Sequence, residues 1–335
     1  MPRQEGECAG PANVYYDATM NSLQALRHVS AIVADTAEYL QLPRLQPQDA
    51  TTNPSLVLRA TRQREYAPLL ALPEVREDVR GNPDAAMDRL LVRFGCEILE
   101  RIPGRVSTEI DARLSHDCEA TVKRAHRIHA LYAAQGVARE RVLIKIASTW
   151  AGIEAARRLR ADGIACNMTL LFSFVQARAC AAADVQLISP FVGRITDWYR
   201  MQAGGSWDAQ AMRGAGDPGV RALLRIWRFY KSRGIGTEVM GASFRDTAQI
   251  EALAGCDLLT IAPALLETLA QSDDPMPRRL DPEQAGDPED DRPLALTQVA
   301  FDAALATDVM GATKLGEGIA QFSADTVALL DLLQR

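Results

Sequence analysis

Lys145 carries the clearest chemical potential in the chain. It sits between aliphatic residues in Arg-Val-Leu-Ile-Lys-Ile-Ala-Ser, whereas Lys123 and Lys231 lie on polar helix faces. Lysine is rarely buried without a reason. Desolvation disfavours the ammonium and frees an amine to condense with a carbonyl at neutral pH. The plainer alternative is a strand-end lysine paired with a carboxylate. Asp35 closes Ile-Val-Ala-Asp-Thr, Glu109 lies in Val-Ser-Thr-Glu-Ile-Asp and Thr169 follows Asn167 in Cys-Asn-Met-Thr-Leu-Leu. An imine that breaks a carbon–carbon bond needs such carboxylates to move protons. A single Asp after a strand can equally be a helix cap. Glu109 and Asp111 share one strand face by the period of two, so both acids are candidates for that face. Arg194 and Arg245 follow strands late in the chain, where either a phosphate site or a surface ion pair fits.

Polar residues at strand ends need strands to carry them. Short β-branched or apolar runs recur at 30–35, 49–52, 105–111, 142–148, 165–170, 185–189, 237–242 and 258–262. Amphipathic helical patterns follow many of them, as at 84–102, 117–135, 152–161 and 219–232. Alternation of this kind predicts parallel βα units and an α/β fold, a (β/α)8 TIM barrel, as a single domain with extra terminal helices. Barrel enzymes keep their sites at the C-terminal strand ends, where Asp35, Glu109 and Thr169 fall. Residues 1–17 are expected to form a flexible tail and 18–335 the barrel domain. The Gly-rich 204–216 and the Pro/Asp-rich 272–293 read as surface loops. Helical patterns at 295–306 and 309–333 are expected to pack outside the barrel.

Composition narrows the function classes. The 335 residues are 47% apolar and 24% charged, with 37 basic against 43 acidic side chains, which is a net charge of −6. Without a basic run, nucleic acid is excluded as a partner. No run has signal-peptide or membrane-span length, and the six cysteines contain no Cys-x-x-Cys pair, so no membrane is involved and a reduced, cytoplasmic setting is expected. Neither a Walker A nor a Gly-x-Gly-x-x-Gly motif is present, so no nucleotide cofactor is indicated. His126 and His129 stand three apart on a predicted helix, but a zinc site needs further ligands. They are expected at the surface, with no metal.

Seven separated blocks resemble the transaldolases in the order that family shows. They are Val-Ala-Asp-Thr at 33–36, Asp-Ala-Thr-Thr-Asn-Pro-Ser at 49–55, Ser-Thr-Glu-Ile-Asp-Ala-Arg-Leu-Ser at 107–115 and Ile-Lys-Ile-Ala-Ser-Thr-Trp at 144–150, followed by Cys-Asn-Met-Thr-Leu-Leu-Phe-Ser at 166–173, Ile-Ser-Pro-Phe-Val-Gly-Arg at 188–194 and Met-Gly-Ala-Ser-Phe-Arg at 240–245. The resemblance covers residues 22–330. It implies an enzyme that moves a dihydroxyacetone unit from sedoheptulose 7-phosphate or fructose 6-phosphate to glyceraldehyde 3-phosphate or erythrose 4-phosphate. This is a step of the pentose phosphate pathway that uses no metal or organic cofactor.

By the same resemblance Lys145 is the Schiff-base residue, Glu109 the acid/base acting through a water, Thr169 the holder of that water and Asp35 the acid/base at the C4 hydroxyl. Asn53, Asn167, Ser189 and Ser243 correspond to positions that bind substrate hydroxyls or line the site, and Arg194 and Arg245 to a phosphate clamp. A homodimer is likewise implied. The fructose 6-phosphate aldolase branch differs by a tyrosine where this chain has Phe191 and a glutamine where it has Glu109, so these two residues favour transfer. A non-catalytic sugar-phosphate-binding protein is the other alternative, although such proteins usually lose the nucleophile that is present here.

Overall fold

Alternation along the apolar runs sorts their side chains onto two faces. In this computed structural model, which describes residues 20–77, 79–286 and 296–335, the runs form eight short strands. They are β1 (Ala31–Asp35), β2 (Asp49–Thr51), β3 (Val106–Glu109), β4 (Val142–Ala147), β5 (Cys166–Leu171), β6 (Leu187–Pro190), β7 (Glu238–Gly241) and β8 (Leu258–Ile261). All pair in parallel in chain order, and β8 returns to β1 to close a barrel. Ile32, Ile144, Met168, Ile188 and Leu259 join the large core shared with the surrounding helices. Their odd- or even-numbered neighbours Val33, Leu143, Leu187, Met240 and Leu258 form a separate apolar cluster. A strand period of two assigns that second cluster to the barrel interior.

Below this layer Arg105 closes the barrel floor. Its Nε donates to Asp49 Oδ2 at 2.9 Å, and its Nη1 donates to Glu238 Oε2 at 2.7 Å. One guanidinium therefore ties β2 to β7, and Gln186 Nε2 adds a bond to Glu238 at 2.9 Å.

The predicted helices are present with small shifts at their ends. Pro83–Leu99, Cys118–Ala134, Trp150–Ala161 and Pro218–Ser232 correspond to the four patterns. Trp150–Ala161 begins two residues before its pattern because the Thr149 hydroxyl accepts from Gly152 N at 2.9 Å and caps it. The 204–216 loop contains two short 3-10 turns, Gly204–Ser206 and Gly214–Gly216. The expected tail at 1–17 and residues 287–293 of the second loop lie outside the described residues. Among those described, no helix is long and apolar enough to cross a membrane.

One expectation about packing is extended. The C-terminal helix Val309–Gln334 does more than lie outside the barrel. Its Met310, Leu315 and Phe322 share a buried cluster with Ala147, Leu170, Phe172 and Phe191, at and beyond the C-terminal ends of β4, β5 and β6. The reason is a bulge in β5. Its pairing with β6 runs from Met168 opposite Ile188 to Leu171 opposite Pro190, which leaves one extra residue in β5. Leu170 takes up the bulge at φ 51° and is fully buried. A Cβ at Gly318 would meet Leu170 Cδ2 at 2.7 Å, so glycine there lets the helix settle on the bulged strand.

Candidate active site

Strand register sets the centre of the site. Glu109 of β3 lies beside Lys145 of β4, which lies beside Asn167 of β5. Lys145 Nζ is 3.0 Å from Glu109 Oε2, and it donates to the Thr52 carbonyl oxygen at 3.0 Å. Only 4% of Lys145 and 3% of Glu109 are exposed, so both charges of this pair have left water. The carboxylate contact is an ion pair that lacks the alignment of a formed hydrogen bond, and among the described residues Oε2 has no hydrogen-bond partner. Burial pushes the Glu109 pKa up, against the opposing pull of Lys145 and Arg194. Asp111, the other acid of this segment, instead caps the short turn Ala112–Leu114 and binds Arg113 Nε at 2.9 Å. Of the two acids that alternation left open, Glu109 is the one that reaches Lys145.

Asp35 approaches from β1. Its pKa is also raised by burial, with Lys145 and the Thr51 hydrogen bond opposing. Thr51 Oγ1 donates to Asp35 Oδ1 at 3.0 Å and lies 2.8 Å from Thr260 Oγ1. On the other side, Ser189 Oγ donates to Asn167 Oδ1 at 2.6 Å, and Asn167 Nδ2 donates to Ser107 Oγ at 3.0 Å. These bonds fix which face each amide and carboxyl presents. Thr169 is fully buried on β5, and its hydroxyl has no partner among the described residues.

Six of the ten predicted site residues line one cavity: Asp35, Asn53, Lys145, Ser189, Arg194 and Ser243. Asn53 also caps the helix Pro54–Thr61 by accepting from Leu56 N at 2.9 Å. Glu109 and Asn167 stand directly behind that wall through their contacts to Lys145 and Ser189. Arg245 and Thr169 are not in the wall.

The two arginines differ. Arg194 is half-buried, its guanidinium carbon lies over the Phe191 ring at 5.1 Å and the Phe322 ring at 5.3 Å, and no ion pair or hydrogen bond holds it among the described residues. Burial lowers its pKa, against the pull of Glu109. Arg245 by contrast is engaged. Its Nη2 and Nε donate to Asp197 Oδ2 at 2.7 and 3.0 Å, and its Nη1 donates to the Ser243 carbonyl at 2.9 Å.

The local backbone explains how the two come near each other. Ser243 sits at φ 64°, and its carbonyl accepts from Gly193 N at 3.0 Å. A Cβ at Gly193 would lie 2.1 Å from that oxygen. Glycine before Arg194 therefore lets the helix Val192–Ala203 start against the turn that leads to Arg245.

Thr51, Thr260, Asp197 and Phe322 were not legible as site residues. A hydroxyl in the apolar run Leu-Leu-Thr-Ile was the available signal for Thr260, whereas Phe322 reads as one more core position on an amphipathic helix. The two histidines divide. His126 Nε2 lies 3.0 Å from Asp162 Oδ2 at the surface. His129, expected at the surface, is buried on the inner side of its helix, and burial lowers its pKa. No group of three or more His, Cys, Asp or Glu side chains among the described residues is arranged to hold a metal ion. The five described cysteines are free.

Comparison with known proteins bears on this geometry. A solved structure titled as a putative fructose-1,6-bisphosphate aldolase from Coccidioides immitis covers 90% of this chain and 97% of its own, at 14% identity and a TM-score of 0.37, a likeness too low to carry an argument. A curated transaldolase from Methylibium petroleiphilum is 54% identical over 315 residues, covering 94% of this chain and 99% of its own. A family model described as transaldolase/fructose-6-phosphate aldolase matches residues 32–333, from β1 through the C-terminal helix. The chain belongs to the transaldolase/fructose-6-phosphate aldolase family and is an enzyme of the transaldolase type.

Proposed function

We propose that the enzyme transfers a dihydroxyacetone unit from sedoheptulose 7-phosphate or fructose 6-phosphate to glyceraldehyde 3-phosphate or erythrose 4-phosphate, through a Schiff base on Lys145. The observation that carries this reading is the buried Lys145–Glu109 pair, with Nζ and Oε2 at 3.0 Å, beside a cavity that Asp35 and Arg194 also line. Burial raises the proton affinity of Glu109, so a proton can pass from the ammonium to the carboxylate and leave a neutral amine. That amine adds to the ketose C2 carbonyl. Loss of water, assisted by protonated Glu109, gives the iminium.

Asp35 then takes the proton of the C4 hydroxyl, the C3–C4 bond breaks, and its electron pair moves into an enamine as the aldose phosphate leaves. Attack of the enamine on an acceptor aldehyde reverses these steps, and hydrolysis returns Lys145. Thr169 Oγ1 is buried with no hydrogen-bond partner among the described residues, and Glu109 Oε2 is met there by the Lys145 ion pair but by no hydrogen bond, which suits a shared water in the proton transfers. Arg194, half-buried and without an ion pair among the described residues, suits the substrate phosphate, and Arg245 can join it by exchanging Asp197 for phosphate oxygens. We further take the enzyme to be a cytoplasmic homodimer, on the family resemblance.

The companion reading is aldolase cleavage with release of free dihydroxyacetone. Phe191 favours transfer, since its ring packs edge-on against Phe172 at 5.5 Å and offers no hydroxyl to the cavity. Incubation with fructose 6-phosphate and erythrose 4-phosphate is expected to yield sedoheptulose 7-phosphate and glyceraldehyde 3-phosphate. Steady release of dihydroxyacetone without an acceptor would move the assignment to the aldolase reading.

A further inference from the structure

Phe322 is distant in sequence from every catalytic block, yet it touches the charge at the mouth of the site. It lies on the C-terminal helix, is 1% exposed, and the Arg194 guanidinium carbon stands 5.3 Å from its ring centroid. Phe191 provides a second ring at 5.1 Å. Arg194 has neither a carboxylate nor a hydrogen-bond acceptor to orient it among the described residues, so the two rings are the directional contacts on its head group. A guanidinium over an aromatic face is held by the ring quadrupole while its N–H edges stay free. Those edges are the part that binds a phosphate.

The height of Phe322 is set by contacts on the same helix face. Gly318, one turn earlier, lies against Leu170, and a Cβ there would also come within 3.5 Å of Arg194 Nη1. The left-handed Leu170 in the β5 bulge thus fixes the helix, the helix fixes Phe322, and Phe322 faces the arginine.

We propose that Phe322 is a positioning residue for Arg194. On this view the C-terminal helix, through this ring, sets the preference of the site for phosphorylated over unphosphorylated ketoses. The proposal rests on the reading of Arg194 as a phosphate-binding group. A leucine at 322 fills apolar space without a quadrupole, and a tyrosine keeps the ring.

The test compares kcat/KM for fructose 6-phosphate and for D-fructose as donors, each with unphosphorylated D-erythrose as acceptor and sedoheptulose formation as the readout, in full-length enzyme. The ratio is independent of how much of a preparation is folded. Phe322→Leu is expected to lower the phosphorylated-to-free ratio about tenfold through a higher KM for fructose 6-phosphate, between the size of an exposed and of a desolvated cation–π contact. Competitive inhibition by inorganic phosphate should weaken in parallel. Phe322→Tyr should restore the ratio, and in an Arg194→Ala background Phe322→Leu should change it no further.

Equal losses on both donors, or the same fall in ratio without Arg194, would overturn the proposal. If Arg194→Ala itself leaves the ratio unchanged, the phosphate reading fails and the proposal goes with it. If Arg194→Ala lowers the ratio and Phe322→Leu does not, the proposal alone fails.

Discussion

At the scale of single residues, the proposed chemistry draws on the burial of opposite charges. Lys145 and Glu109 are each nearly inaccessible, and a pair held at 3.0 Å in that setting has lost the hydration that would keep both ions charged. Glu109→Gln keeps the size and hydrogen-bonding capacity of the side chain but removes the proton acceptor. It is expected to lower kcat on the order of a hundredfold with little change in sugar-phosphate affinity. Asp111→Asn, two residues on, should retain most turnover because that carboxylate is occupied with Arg113 at the start of the next turn. Loss of turnover in Asp111→Asn with retention in Glu109→Gln would reverse the two assignments. Lys145, Glu109 and Asp35 were legible because each breaks an apolar strand pattern with a charge. Alternation left Glu109 and Asp111 equivalent, since both occur on one strand face, and only the end of β3 at Glu109 separates them. Arg245 shows the converse. Its position was legible, but its bond to Asp197 joins two segments that no local pattern connects.

Among the elements, the strands were readable and their irregularity was not. Eight runs of period two match eight strands because the inner and outer faces of a closed barrel both demand apolar residues at alternate positions. The β5 bulge left no mark, because Leu170 is an ordinary apolar residue in an apolar run although it sits at φ 51°. The same gap hid the role of the C-terminal helix, whose amphipathic pattern specifies an apolar face but not the surface it covers. Gly318→Val tests that contact. Methyl groups at 318 would have to enter space held by Leu170, so overpacking is expected to destabilise the enzyme by about 1–3 kcal/mol, read as a lower midpoint in urea. An unchanged midpoint would show that the helix can ride higher on β5 without loss.

At the level of the whole molecule, the barrel carries a charged cluster at each end, buried at the top and partly buried at the floor. The upper set, Lys145 with Glu109 and Asp35, is the one to which the proposed mechanism assigns chemistry, whereas the floor set, Arg105 with Asp49 and Glu238, ties strands together. Burial would raise the Glu238 pKa, but hydrogen bonds from Arg105 and Gln186 hold it below the usual carboxylate range. With a folded pKa below the unfolded one, the unfolded chain takes up this proton first as pH falls. The contribution is therefore complete above about pH 4.3 and is lost at lower pH. Arg105→Ala is expected to destabilise the fold by about 3 kcal/mol at neutral pH by leaving two carboxylates without their partner. It should also flatten the fall in stability below that pH. Equal acid sensitivity in the variant and the parent would remove Arg105 from this role. The floor escaped sequence reading because Asp49, Arg105 and Glu238 come from three separated strand starts that meet when the barrel closes.

Borohydride reduction in the presence of fructose 6-phosphate, followed by peptide mapping, tests the nucleophile and the reaction class together. A stable three-carbon adduct is expected on Lys145, absent from Lys145→Arg, whose guanidinium stays protonated and cannot form the imine. Label on Lys123, Lys231 or Lys314 in place of Lys145, or turnover that survives Lys145→Arg, would contradict Schiff-base catalysis at this site.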